Sequence, residues 1–308
     1  MTQFLTGPQA RQAFTLRVAM NPPFAIDVRD EAALTVIVPV RGTVWVTAGA
    51  DMDSLQPGHA ATVRGPDPYQ VADALHRAPT VVIGPGQSCR TPSGEHLEIA
   101  MRQGVRTWGD SADAETVMLI GTYQTAAAAG RLVTSALPPL VTFTEQETDP
   151  ALLGMLAREL TQPGLGQQTA LDRVLDLLLL HLVRAWAARP EVAVPGWVAG
   201  TRDPIVAKAL SLLHSEPAVP WTVAELGERV HVSRATMAAR FRSSVGQPPM
   251  MYLAAWRLAL AADRLASSNA TSAAIAAEVG YSNAFAFSAA FTRAHGVSPT
   301  AYRAALRP

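Results

Sequence analysis

The sequence predicts an α+β chain of two domains. The first is a small antiparallel β-sandwich or β-barrel with following helices, over about residues 1–190. The second is an all-helical domain over 202–308. Three observations carry this reading. Short β-branched runs separated by Gly, Pro and Asp turns fill the first 145 residues or so. From residue 150 the apolar residues recur at three- and four-residue spacing. The last hundred residues hold a short-helix, turn, short-helix pattern twice.

The strands come first. Leu34 to Val40 is a short apolar run, Arg41-Gly42 a turn, and Thr43 to Thr47 alternates so that Val44 and Val46 share a face. Further strands are expected at Ala60 to Val63, Thr80 to Ile83, His96 to Met101 and Thr116 to Ile120. Between them lie Gln56-Pro57-Gly58 and Gly65-Pro66-Asp67-Pro68, clusters that favour turns. Barrels of this size enclose small-molecule pockets. Trp45, Tyr69 and Tyr123 are the aromatic candidates for one, with core packing as the alternative role of each.

Residues of about 150–188 switch to helical period. Pro150 suits a first helical position. A longer helix from about Gln168 to Ala188 carries the stripe Leu171, Val174, Leu175, Leu178, Leu182 and Trp186. This stripe has two readings. It packs on its own β domain, or Leu171, Leu175, Leu178 and Leu182 form a heptad-like seam that joins two copies as a homodimer, and both can hold on different faces. Arg189 to Thr201, with two prolines, two glycines and no period, reads as a linker centred on 191–201.

From Asp203 helical signals dominate. Asp203-Pro204 is an N-cap followed by proline. Thr222-Val223-Ala224-Glu225 is a capping box, and Ser233 caps the next helix, which runs to Gly246. A long helix between Pro248 and Ser268 offers Met251, Leu253, Trp256, Leu260 and Leu265 to a core. A second short helix, Ser272 to Val279, stops at Gly280, and another runs from about Asn283 to His295. Leu226, Val230, Val232, Met237 and Phe241 pack the first pair, and Ile275, Val279, Phe287 and Phe291 the second. Two such units on one stiff helix can enter successive major grooves, about 34 Å apart on one DNA face.

These residues carry a resemblance. Arg257-Leu258, Ala261, Leu265, Ile275-Ala276, Val279-Gly280-Tyr281, Phe287, Phe291 and Gly296-Val297-Ser298-Pro299 with Tyr302 are similar to the pattern of the AraC/XylS family of bacterial transcription regulators, over about residues 202–305. The Leu55-Gln56-Pro57-Gly58 turn and the helices before Gly196-Trp197 resemble that family's cupin-type regulatory domain, a small β-barrel. The resemblance implies double-stranded promoter DNA as partner, a small-molecule effector, a homodimer, and RNA polymerase if the protein activates.

Family members often carry arginine on the recognition faces. Here the first helix presents Arg234, Ala235, Thr236, Ala238, Ala239, Arg240 and Arg242. The second presents Asn283, Ala284, Ser288, Ala289 and Arg293. An alanine can touch only a thymine methyl, whereas a bidentate Arg–guanine pair discriminates by about 1–3 kcal/mol. Three readings follow. Base readout rests on Arg234, Thr236, Asn283 and Ser288 with methyl contacts; or DNA shape carries specificity; or DNA binding is weak. Arg240, Arg242 and Arg293 are the phosphate candidates, with a solvated helix face as their alternative role. His231 stands where glycine is common, so a left-handed conformation is expected there.

Charge agrees with this division. The whole chain has 25 basic and 25 acidic residues. Residues 201–308 hold eleven basic against six acidic, a net of +5, and the first 200 residues therefore carry −5. With 49 % apolar and 16 % charged residues, a largely disordered chain is excluded. The single Cys89 cannot form an internal disulfide, which points to a reducing, cytoplasmic setting. No run suits a membrane span, and Met1 to Met20 lacks the pattern of a signal peptide. A metal enzyme of cupin type, with a helical tail for protein contacts, is the competing reading. Such sites need about three His and a carboxylate. His59, His76 and His96 contain no His-x-His pair, and Cys89 is a lone thiol in a turn, so neither metal, cofactor nor catalytic residue is expected.

Overall fold

The computed structural model describes residues 13–124, 136–162, 164–190 and 196–305. The chain divides into two compact units at Arg189/Pro190.

Among the described residues of the first unit, twelve strands form two six-stranded sheets. The strands are β1 (Ala13–Met20), β2 (Ala25–Val28), β3 (Leu34–Arg41), β4 (Val44–Ala48), β5 (Asp51–Leu55), β6 (Ala60–Arg64), β7 (Tyr69–Ala72), β8 (Val81–Gly84), β9 (Ser88–Arg90), β10 (Thr107–Gly109), β11 (Thr116–Tyr123) and β12 (Leu140–Phe143). One sheet has the order β10-β1-β11-β3-β6-β12, the other β5-β4-β7-β2-β8-β9. Pairing is antiparallel except for β1 with β10 and β2 with β8. Val18, Ile37, Ala61 and Met118 of the first sheet share one core with Ile26, Val44, Val46, Val71 and Val81 of the second. The two sheets therefore make a sandwich, and the expected closed barrel is not formed. Val44 and Val46 are fully buried, as their alternation predicts. The expected strand at His96 to Met101 is instead a turn-rich loop. It meets β9 through a bridge between His96 and Arg90 and a hydrogen bond from Leu97 N to Cys89 O at 2.9 Å, and it meets β10 where Gly109 N donates to Met101 O at 2.8 Å, while Ile99 lies exposed.

Two helices follow, α1 (Pro150–Thr161) and α2 (Gln167–Ala188). Asp149 caps α1 by accepting the Ala151 amide at 2.9 Å. Leu171, Leu175, Leu178 and Leu182 of α2 are fully buried within the chain. A Cβ placed on Gly121 of β11 would stand 2.4 Å from Leu175 Cδ1, so the helix beds directly on the strand. The leucine stripe thus belongs to the unit's own core. It offers no surface to a second copy, and the expected seam is corrected on this ground.

The second unit contains α3 (Gly196–Gly200), α4 (Pro204–Ser215), α5 (Val223–Arg229), α6 (Arg234–Val245), α7 (Pro249–Ser267), α8 (Ser272–Glu278), α9 (Ala284–His295) and α10 (Pro299–Ala305). Part of the expected linker is therefore helix. Gly200 is buried and so close to Val245, Leu210 and Val206 that a side chain would collide with them. The capping box at Thr222 and Glu225 is formed. Leu226, Met237, Phe241, Leu253 and Trp256 are buried around the first helix pair. Leu265, Ile275, Val279, Phe287 and Phe291 make the second core. Met251, expected inside, is 62 % exposed. The Arg257 guanidinium fixes the α4–α5 connection by donating to the carbonyls of Pro217 at 2.7 Å and Val219 at 2.8 Å. No helix among the described residues is long and apolar enough to cross a membrane.

Candidate nucleic-acid interface and ligand cavity

The two helix-turn-helix units repeat one another closely. In the first, Val232 N donates to Gly227 O at 2.9 Å; in the second, Tyr281 N donates to Ala276 O at 2.8 Å. His231 and Gly280 hold the same place in the turn, with φ of 60° and 86°. The expected left-handed histidine is present. Each second helix then starts on a capping side chain. Ser233 Oγ accepts the Thr236 amide at 3.1 Å, and Asn283 Oδ1 accepts the Ala286 amide at 2.8 Å. Each stops at a left-handed glycine, Gly246 and Gly296.

Burial sorts the candidate residues. On α6, Met237, Phe241 and Val245 face inward. Arg234, Ala235, Thr236, Ala239, Arg240 and Arg242 are exposed and Ala238 is half-buried. On α9 and at its cap, Asn283, Ala289 and Arg293 are exposed, and Ala284 and Ser288 are half-buried. Three of these side chains have internal partners. Arg240 Nε pairs with Asp203 Oδ2 at 2.9 Å. The Thr236 hydroxyl lies 2.9 Å from Ser233 Oγ. Asn283 gives its oxygen to the α9 amide and its nitrogen to Ser282 Oγ at 3.3 Å. A bidentate adenine contact needs both ends of an asparagine. Asn283 is therefore a cap first.

One residue escaped the sequence reading. Phe285 is 85 % exposed on the first turn of α9. With Ser288, Ala289, Thr292 and Arg293 it lines a shallow groove on the helix surface. Its signal was available: the core stripe of α9 is Phe287 and Phe291, and an aromatic two positions before Phe287 must fall off that stripe.

The first unit contains a cavity of about 110 Å³ between its sheets. Phe14, Leu16 and Val18 of β1 and Met118, Ile120 and Thr122 of β11 form one wall. Ile26, Val28, Tyr69, Val71, Ile83 and Cys89 form the opposite wall, and Trp108, Asp30 and Gln87 complete the lining. Of the three aromatic candidates only Tyr69 lines it. Trp45 alternates with the core-facing Val44 and Val46 and so lies on the other face of β4. Tyr123 alternates with Thr122, and its hydroxyl donates to Asp176 Oδ1 on α2 at 3.3 Å. Burial, followed by the charge of Glu98, pushes the Cys89 thiol up to about 11, so it remains protonated at neutral pH. Burial, with the Asp30 charge adding to it, likewise holds the Tyr69 phenol above its usual range. Among the described residues no three His, Cys, Asp or Glu side chains converge as a metal set.

Residues 1–188 match a family model described as cupin, and residues 226–305 match one described as a helix-turn-helix domain. The chain belongs to the cupin family through residues 1–188, and it carries a helix-turn-helix domain like those of AraC-type regulators. A putative AraC-like transcription regulator of Streptomyces lividans is 40 % identical over 198 residues, 63 % of this chain. The alignment covers 65 % of that relative's length. The regulator AlkR of Acinetobacter baylyi is 35 % identical over 142 residues, 46 % of this chain and 45 % of its own. Among solved structures that the chain resembles is the DNA-binding domain of AdpA, a global transcriptional factor, in complex with a target DNA. It is 33 % identical, covers 34 % of this chain and 94 % of that one, and has a TM-score of 0.32.

Proposed function

We propose that this family member is a DNA-binding transcription regulator whose helical unit holds promoter DNA with the exposed faces of α6 and α9. The observation that carries the reading is the repeat itself: two capped second helices with solvent-facing sides, built on one connecting helix. That helix, α7, has 19 residues. At a rise of about 1.5 Å per residue it spans about 28 Å, comparable with one duplex turn.

In this reading Arg234, Arg242 and Arg293 contact phosphates, and Arg240 does so only in competition with Asp203. Ala235, Ala238, Ala239 and Ala289 together with Phe285 face thymine methyl groups, and Ser288 and Thr236 supply hydroxyls. The cavity of the first unit is the effector site, and a homodimer uses a surface other than the α2 stripe. RNA polymerase is a partner if the protein activates, and the setting is cytoplasmic. The relatives' naming as regulators favours this over a metal-dependent cupin enzyme, for which no converging ligand set stands among the described residues.

Selection of bound sequences from random duplex DNA tests the proposal. The expected product is a site with two elements about one helical turn apart and thymine-rich in one of them. Retention of no sequence above background at low salt overturns it.

A further inference from the structure

One residue of the cavity lining is chemically unlike the rest. Most of the lining is hydrocarbon and aromatic, with Thr122, Cys89 and Gln87 as neutral polar members, yet the charged Asp30 is there too, only 7 % exposed. Its carboxylate accepts two hydrogen bonds: Ala32 N to Oδ1 at 3.2 Å and Gln87 Nε2 to Oδ2 at 3.2 Å. A carboxylate offers about four acceptor sites, so about half remain open. No cation answers it among the described residues. The adjacent Arg29 is turned to Asp27, with Nη2 2.7 Å from Oδ2. A buried carboxylate without a cation is costly to a folded protein. Such a group facing a cavity marks a place where a ligand supplies the missing charge.

We propose that this cavity binds an aryl or cycloalkyl amine, with its ring between the sheets and its protonated nitrogen on Asp30. The class follows from the lining. A volume of about 110 Å³ is of the order of a cavity that holds one benzene ring (about 150 Å³), so the apolar part is a single ring with a short chain. Leu16, Val18, Ile26 and Ile120 enclose the ring. Trp108 and Tyr69 are the aromatic residues of the lining, and aromatic rings are compatible with a nearby cation. A neutral hydroxyl would fill an acceptor site but leave the charge uncompensated, and a carboxylate would add a second negative charge beside Asp30. The proposal deepens the effector reading and rests on it for its regulatory meaning, but not for binding.

Isothermal titration of the full chain with 2-phenylethylamine, 2-phenylethanol and 3-phenylpropionate tests it. The amine is expected to bind about tenfold or more tighter than the alcohol, and the acid not to bind in the same range. Asp30→Asn should remove the advantage of the amine and leave the alcohol within about twofold. Equal binding of alcohol or acid, an amine affinity untouched by Asp30→Asn, or no amine binding up to millimolar concentration overturns the proposal. If Asp30→Asn does not fold, the three ligands on the unaltered chain decide the matter. DNA affinity measured with saturating amine separates the two readings. Asp30-dependent amine binding that leaves DNA affinity unchanged supports the ligand class and removes the effector role. A DNA response to the alcohol or acid, but not to the amine, keeps the effector role and overturns the ligand class.

Discussion

Asp203 holds two parts of the helical unit at once. Its Oδ1 accepts the amide of Ile205 at 2.9 Å, capping α4, while its Oδ2 takes Arg240 Nε of α6, also at 2.9 Å. The charge of Arg240 is thus partly answered inside the protein. Each phosphate contact contributes about 0.9 to the slope of log affinity against log salt. Arg293→Ala should flatten that slope by about this amount, and Arg240→Ala by less than half of it. Titrations of a selected duplex from low to physiological salt check this; equal flattening by both variants would return Arg240 to the phosphate contacts.

Phe285 gives a different signature. It carries no charge, so Phe285→Ala should leave the salt slope unchanged. Loss of a contact at one base pair costs about 1–3 kcal/mol. Specific affinity should therefore fall at least about fivefold, with relaxed preference at the thymine positions. Competition with random DNA separates this from uniform weakening, which would sink the assignment.

The paired turns make a matched experiment. His231 pays for φ of 60° with steric strain that glycine does not have. His231→Gly should stabilise the helical unit by about 0.5–1 kcal/mol, the strain relieved less the chain entropy glycine loses. Gly280→Ala should act oppositely and more strongly. At φ of 86° its new Cβ would meet Ala218 Cα at 2.7 Å and O at 2.8 Å. Urea midpoints of the two variants should move in opposite directions.

Acid sensitivity is expected from His214. This side chain is almost fully buried, with Nε2 2.7 Å from the Tyr252 hydroxyl. Burial pushes its pKa from 6.5 down to about 2. Below pH 6.5 the unfolded chain binds this proton and the folded chain does not. The contribution is therefore complete above about pH 6.5 and declines as pH falls, by up to about 1.4 kcal/mol per unit. Unfolding midpoints between pH 7 and 5 should drop less in His214→Gln than in the unaltered chain; parallel curves would remove His214 as the cause.

The helical unit was legible because its signals are local. Caps at Asp203, Thr222 and Ser233, stops at Gly246 and Gly280, and inward stripes each lie within one turn of the residues they organise. Phe285 carries no polar group for base readout, so no recognition pattern marks it in the sequence. The strands were read unevenly. β3 and β6 are covered on both faces and appear as continuous apolar runs. β5 (DMDSL) is a mostly exposed edge strand with no apolar pattern to see. His96 to Met101 has β-like composition, but nothing in its sequence shows that the chain turns after Leu97 instead of extending along β9. The α2 stripe exposes the same limit. Spacing shows that leucines share a face, while only the chain's path shows that β11 lies under it. For the cavity, a single aspartate after a strand has no sequence pattern at all.

β11 is a partition one residue thick. Met118, Ile120 and Thr122 look into the cavity, while Gly121 and Tyr123 look towards Leu175 and Asp176 of α2. Because Gly121 has no side chain, no compressible layer separates the backbone of the partition from the helix. A guest that pushes Ile120 outward by a fraction of an ångström presses the strand straight onto Leu175. The helix must then shift or tilt, as a piston follows its rod.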